Sequence, residues 1–80
     1  MVFNRIALLR AERAISRKAL AAAVGVNFQT IGYLERREYN PSVELALKLS
    51  QHFALPLEMI FSLEPFPAIT AELHRLNSER

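Results

Sequence analysis

The sequence predicts an all-α domain of five short helices with an additional C-terminal helical segment. Apolar residues recur at helical spacing, Ser or Asn precedes most of the predicted helices, and no run alternates apolar and polar residues as a strand would. Eighty residues, 51% of them hydrophobic and 22% charged, suit one small globular domain. We expect the domain to span 1–62 and the C-terminal tail to span 63–80.

The first predicted helix covers about 3–13, and Asn4 is its candidate N-cap. Three of its residues follow an i, i+3, i+7 spacing: Ile6, Leu9 and Arg13. The second and third helices cover 17–24 and about 28–36, and their candidate N-caps are Ser16 and Asn27. Gly25 ends the second helix because glycine adopts a positive φ at little cost. The side chains expected to face inward from these two helices are Leu20, Ala21, Val24, Ile31 and Leu34.

Three more helical segments follow a turn at 38–41. Ser42 caps a predicted helix over 43–53, whose expected buried face is Val43, Ala46, Leu49, Ser50 and Phe53. Pro56 suits the first turn of a short fifth helix that reaches about Phe61 or Ser62. A last helix over 68–77 places three apolar residues at i, i+4, i+7: Ile69, Leu73 and Leu76.

Composition narrows the classes of function. The sequence has no cysteine, and His52 and His74 lack nearby ligands, so we expect no metal and no cofactor. We find no apolar run that could span a bilayer and no signal-peptide pattern, so we expect a cytoplasmic protein that does not bind membranes. No catalytic triad, paired carboxylates or glycine-rich phosphate loop is visible, which argues against an enzyme.

The charge is divided unevenly along the chain. Residues 1–42 hold seven Lys or Arg and three Glu, for a net charge of +4, whereas 43–80 carry a net charge of −2. This asymmetry favours a polyanionic partner for the first half of the chain.

The segment 16–37 carries the functional signal. Ala21 is small where two helices must cross, Gly25 makes a sharp exit, and Val26 fills the angle between the helices. With neighbouring motifs at matching spacing, the stretch 5–61 resembles a helix-turn-helix domain of the Xre family, which includes the Cro and C-type phage repressors. The matching residues are Arg5-Ile6 to Arg10, Ser16 to Ala21, Gly25-Val26-Asn27, Ile31, Leu34-Glu35, Pro41-Ser42-Val43 and Leu57 to Ile60.

The resemblance implies that the third helix enters the major groove of DNA. The positions it assigns to base contacts are Phe28, Gln29, Thr30 and Tyr33. The positions it assigns to phosphate contacts are Arg17, Asn27, Arg36, Arg37 and Asn40. Phe28 stands where relatives often carry a polar residue, so it either touches an apolar group such as a thymine methyl or folds inward.

The resemblance also implies a structural salt bridge between Arg10 and Glu35. Relatives favour glycine at the positions of Ala14, Arg37 and Ala54, each just beyond a helix. Either those turns have changed shape, or each residue adopts a strained positive φ.

We expect a sequence-specific DNA-binding regulator that acts as a repressor. The alternative is a protein-interaction module on the same fold, such as an antitoxin whose apolar tail binds a partner. The tail either folds back over Phe3 and Leu8 or pairs with a second chain, and we favour a homodimer because two-fold symmetry suits paired half-sites. The residues expected to do this packing are Phe66, Ile69, Leu73 and Leu76.

Overall fold

The computed structural model of the chain describes residues 1–67. Within that range it has five α-helices: α1 Ile6–Arg13, α2 Arg17–Val24, α3 Phe28–Glu35, α4 Val43–Phe53 and α5 Leu57–Ile60. The five helices predicted for this part of the chain are thus confirmed. The helix predicted over 68–77 lies outside the described residues. None of the helices within 1–67 has the length and apolar character needed to cross a membrane.

The prediction that the chain contains no strand is wrong. Two short strands, β1 Phe3–Asn4 and β2 Phe61–Ser62, pair antiparallel, with Phe3 opposite Ser62 and Asn4 opposite Phe61. A strand of two residues is too short to show alternation in the sequence. Helix α1 consequently starts at Ile6 rather than near residue 3, and α5 ends before Phe61.

Side-chain caps fix the starts of α2, α3 and α4 as predicted. The hydroxyl Oγ of Ser16 accepts from the Ala19 amide at 3.0 Å, and Ser42 Oγ accepts from the Leu45 amide at 3.1 Å. The Asn27 Oδ1 atom accepts from the amide of Gln29 at 2.8 Å. Each cap satisfies a backbone donor that has no partner inside its helix.

One core lies between the helices, and its members come from all five: Ile6, Leu9, Leu20, Ala21, Val24, Ile31, Leu34, Leu45, Leu49, Phe53 and Ile60. The predicted inward side of α4 is wrong at its start, because Val43 is 76% exposed and Leu45 is buried instead. The buried stripe follows the i, i+4, i+8 spacing of Leu45, Leu49 and Phe53. The predicted stripe started two residues too early, on a part of the first turn that faces away from the core.

Arg13, at the end of α1, caps the C-terminus of α4. Its Nη2 atom donates to the carbonyl oxygen of Phe53 at 2.5 Å, and its guanidinium lies 5.1 Å from the centroid of the Phe53 ring. A positive charge at a helix C-terminus is favourable, since the unpaired carbonyls there carry partial negative charge. Arg13 therefore joins α1 to α4 from outside the core.

Candidate nucleic-acid interface

The turn between α2 and α3 fixes the position of the start of α3 relative to the end of α2. Gly25 has φ 74°, in the left-handed region where glycine has little steric cost. The amide of Val26 donates to the carbonyl of Ala21 at 3.0 Å, and the Val26 side chain packs against the core. Asn27 then caps α3. The direction in which α3 leaves the turn is therefore set by backbone contacts and core packing together.

Helix α3 has one buried and one exposed face. Ile31 and Leu34 are almost fully buried and anchor the helix. On the other side Phe28 and Tyr33 are each 45% exposed, and Gln29 is exposed as well. Thr30, at the border, is half-buried. The alternative in which Phe28 folds inward is therefore wrong.

A shallow groove runs along the exposed face, lined by Arg17, Phe28, Gln29, Gly32, Tyr33 and Arg36. The side-chain amide of Gln29 makes no hydrogen bond to another residue within 1–67. Both its donor and its acceptor are thus available to a bound molecule. The groove presents an amide and two aromatic rings, with an arginine at each end.

Gly32 lies in the floor of this groove and is buried. A Cβ atom built there would lie 3.1 Å from Nη1 of Arg36. Glycine inside a helix costs about 1 kcal/mol relative to alanine, and here it leaves room for the Arg36 guanidinium to fold across the helix. The guanidinium lies 5.3 Å from the centroid of the Tyr33 ring and hydrogen-bonds Glu38 at 3.2 Å.

Lys18 belongs to this surface, and the sequence analysis did not assign it a role. Its ammonium lies 5.5 Å from the centroid of the Phe28 ring, within the range of a cation–π contact. Only its position next to Arg17, in the first turn of a helix, could have identified it. The start of α2 therefore adds a second positive charge to the edge of the groove.

Behind the groove, the carboxylate of Glu35 on α3 accepts hydrogen bonds from arginines of α1 and α2. Arg10 from α1 reaches its carboxylate through Nε at 2.5 Å and Nη2 at 3.2 Å, and Arg17 from α2 reaches it through Nε at 2.9 Å. The Glu35 side chain is only 4% exposed. Burial by itself raises the pKa of Glu35, but the hydrogen bonds and charges of the two arginines outweigh burial and hold that pKa below its usual range. The pKa of Arg10 is correspondingly raised, chiefly by its hydrogen bond to Glu35.

Arg37 and Asn40, two of the predicted phosphate contacts, hold the N-terminal strand in this structure. Arg37 Nη2 donates to the carbonyl of Met1 at 2.9 Å, and its guanidinium lies 3.5 Å from the centroid of the Phe3 ring. Asn40 Oδ1 accepts from the Val2 amide at 2.9 Å. Phe3 therefore packs against Arg37, a partner that the sequence analysis did not assign to it.

The remaining predicted positions lie at the starts of α2 and α3 and in the tail. Asn27 lies at the N-terminus of α3 and is exposed, while Arg17 keeps 46% of its side chain exposed despite its pairing with Glu35. Phe66 lies beside α1, with the guanidinium of Arg5 4.1 Å from its ring centroid, in a hollow also lined by Leu8. The other tail positions, Ile69, Leu73 and Leu76, lie outside the described residues.

Curated proteins of similar sequence align with most of this chain. An uncharacterized HTH-type transcriptional regulator of Bacillus subtilis, YgzD, is 39% identical over 61 residues, which cover 76% of this chain and 92% of that protein. An uncharacterized HTH-type transcriptional regulator of Archaeoglobus fulgidus is 42% identical over 58 residues, covering 72% of this chain and 82% of the relative.

Solved structures share the fold. A crystal structure of a Bacteroides fragilis protein superposes with a TM-score of 0.68 at 22% identity, covering 78% of this chain and all of that one. A transcriptional regulator from Listeria innocua superposes with a TM-score of 0.65 at 18% identity, covering 92% of this chain and 71% of the other. The profile of the helix-turn-helix family HTH_3 matches residues 6–60, from the first residue of α1 to the last residue of α5. The match spans all five helices and the capped turn between α2 and α3, and the chain belongs to the HTH_3 helix-turn-helix family.

Proposed function

We propose that this chain is a transcriptional regulator that binds double-stranded DNA sequence-specifically and represses by occupying its site. The observation that carries the proposal is the exposed face of α3, where Gln29 and two aromatic rings project from a helix anchored by Ile31 and Leu34. A helix fits the major groove of B-DNA, and its N-terminal residues lie nearest the base edges. The names of the curated relatives support the same function. Occupancy needs no chemical step, so we do not propose an enzyme.

Under this proposal, one set of side chains contacts bases and another contacts phosphates. Gln29 reads a base through its side-chain amide, since glutamine pairs bidentately with adenine in the major groove. Phe28, Thr30 and Tyr33 contact neighbouring base edges. Phosphate contacts, which position the protein without reading sequence, come from Arg17, Asn27, Arg36, Arg37 and Asn40. Arg37 and Asn40 would make them through Nη1 and Nδ2, the donors that their contacts with Met1 and Val2 do not use.

Two copies reading two half-sites are part of the proposal. We propose that they associate through the tail, for which the support is the exposure of Leu63, 87%, at the point where the tail begins. Symmetric half-sites one helical turn, roughly 34 Å, apart would then match the two-fold symmetry of the protein.

Selection of bound duplexes from a random DNA pool tests the proposal. We expect one enriched consensus, with two-fold symmetry if two copies bind together. Affinity for it should fall with rising salt, with a log–log slope of about −0.9 for each phosphate neutralised. Gln29→Ala should reduce the preference for the consensus over a scrambled duplex by roughly 5- to 150-fold, the range for losing one bidentate base contact.

Gln51→Ala is the matched control, because Gln51 is an exposed glutamine on α4, outside the groove. It should leave the preference unchanged. If Gln29→Ala discriminates as well as the wild type, α3 does not read bases through this residue.

A protein-interaction module is the second candidate, and one observation favours it. Val43 is 76% exposed and Leu47 is 50% exposed on the outer side of α4, an apolar surface that DNA binding does not use. An antitoxin-like protein would bury such a surface against its partner. Failure of the random pool to yield any consensus, at low salt and with folded protein, would favour this candidate over the regulator.

A further inference from the structure

Phe28 is an apolar side chain in a polar groove. Its neighbours along the groove are Arg17 and Gln29, and the ammonium of Lys18 lies 5.5 Å from the centroid of its ring. Phe28 is 45% exposed and is not a member of the core. The ring therefore contributes little to core packing, although it occupies the first position of the helix proposed to read DNA.

A phenyl ring can recognise very little in the major groove. It has no hydrogen-bond donor or acceptor, so the polar atoms that distinguish most base pairs give it no favourable contact. The one apolar group that standard bases present in this groove is the C5-methyl of thymine. 5-Methylcytosine carries the same methyl at the same ring position, whereas uracil and cytosine do not.

We infer that Phe28 makes the groove of α3 a reader of the C5-methyl group of a pyrimidine, so that thymine or 5-methylcytosine is preferred to uracil or cytosine at one position of the binding site. This inference rests on the proposed function. Lys18 supports it by holding one part of the ring through a cation–π contact. Gln29, next along the helix, reads the polar edge of a base while Phe28 reads the methyl.

The experiment removes or adds single methyl groups in the selected consensus duplex. Each thymine is replaced in turn by deoxyuridine, which lacks only the C5-methyl and pairs in the same way. We expect one position per half-site at which the affinity of the wild type falls roughly fourfold, the size expected for one buried methyl group. With cytosine placed there, methylation at C5 should restore affinity by about the same factor, because the ring does not distinguish the polar edges of the two bases.

Protein variants assign the effect to Phe28. Two affinity ratios are compared, thymine over deoxyuridine and 5-methylcytosine over cytosine. In Phe28→Ala both ratios should fall to about one. Phe28→Leu, which keeps an apolar side chain, should retain part of each preference. Tyr39→Ala is the matched control, because Tyr39 is also an exposed aromatic residue, 39% exposed, but lies outside the groove. It should leave both ratios unchanged.

The outcomes separate the two proposals. A consensus that tolerates deoxyuridine at every thymine, or a methyl effect that persists unchanged in Phe28→Ala, overturns the methyl reader and leaves the regulator intact. Failure to select any consensus overturns both.

Discussion

Among residues 1–67, three adopt backbone conformations that usually belong to glycine. Ala14, Arg37 and Ala54 have φ of 55°, 59° and 55°, in the left-handed region that disfavours residues with a Cβ atom. The resemblance predicts glycine at all three positions, and the turns have kept the shape that glycine would allow. Arg37 differs from the two alanines because its side chain hydrogen-bonds Met1 and lies over the Phe3 ring.

Ala14→Gly and Ala54→Gly should each raise the free energy of unfolding by about 0.5–1 kcal/mol. Each change relieves left-handed strain, and the added freedom of the unfolded chain offsets only part of that gain. Chemical denaturation measures the change. Ala11→Gly is the control, since Ala11 is exposed within α1, where glycine should cost a similar amount instead. Equal destabilisation by all three substitutions would show that the turns are not strained.

The helices are joined by polar contacts as well as by the core. Glu35 on α3 binds Arg10 of α1 and Arg17 of α2, and Arg13 of α1 closes the end of α4. The resemblance predicted the partnership of Arg10 with Glu35. The role of Arg13 could not be predicted, because it depends on where two helices distant in sequence end relative to each other.

Stability should therefore depend on the charge of Glu35. Its folded pKa lies below the ordinary value of 4.5, so the folded state binds this proton less readily than the unfolded state. The stabilisation is fully present above about pH 4.5 and is lost as the pH falls through the lower folded pKa. Glu35→Gln should cost about 3 kcal/mol at pH 7, since it leaves Arg10 without its charge partner.

Denaturation across pH 3–7 measures both effects. The difference in free energy of unfolding between wild type and Glu35→Gln should decrease below pH 4.5. Glu38→Gln serves as control, because the pair of Arg36 and Glu38 is about half exposed on both sides and should contribute less than about 1 kcal/mol. If the difference in free energy of unfolding between wild type and Glu35→Gln stays constant down to pH 3, the stability does not depend on the ionisation of Glu35.

The sequence predicted elements well where the signal is local. Ser16, Asn27 and Ser42 cap the helices that they were expected to cap, because an N-cap acts within three residues of itself. The strand at Phe3 escaped prediction because its partner, Ser62, lies at the other end of the domain. The core side of α4 was misassigned at Val43 because its sequence has more than one apolar stripe at helical spacing.

Across the whole molecule, three of the seven positive side chains of residues 1–42 lie at one groove. The groove combines Arg17, Lys18 and Arg36 with the side-chain amide of Gln29, which no residue in the described part of the chain hydrogen-bonds. The resemblance named most of the residues that line this groove, since all of them lie between Ser16 and Arg37, and their contacts with DNA stay predictions. It could not foresee that Arg37 and Asn40 would be engaged by the N-terminal strand, because that contact depends on long-range pairing.

An NMR titration of the isotopically labelled full chain with the selected duplex gives the most direct test that α3 faces the DNA. We expect the largest changes in amide resonances along the exposed face of α3, at Phe28, Gln29 and Tyr33, and at the start of α2. The outer side of α4, at Val43 and Leu47, should change least. Large changes on α4 with α3 left unperturbed would contradict the account.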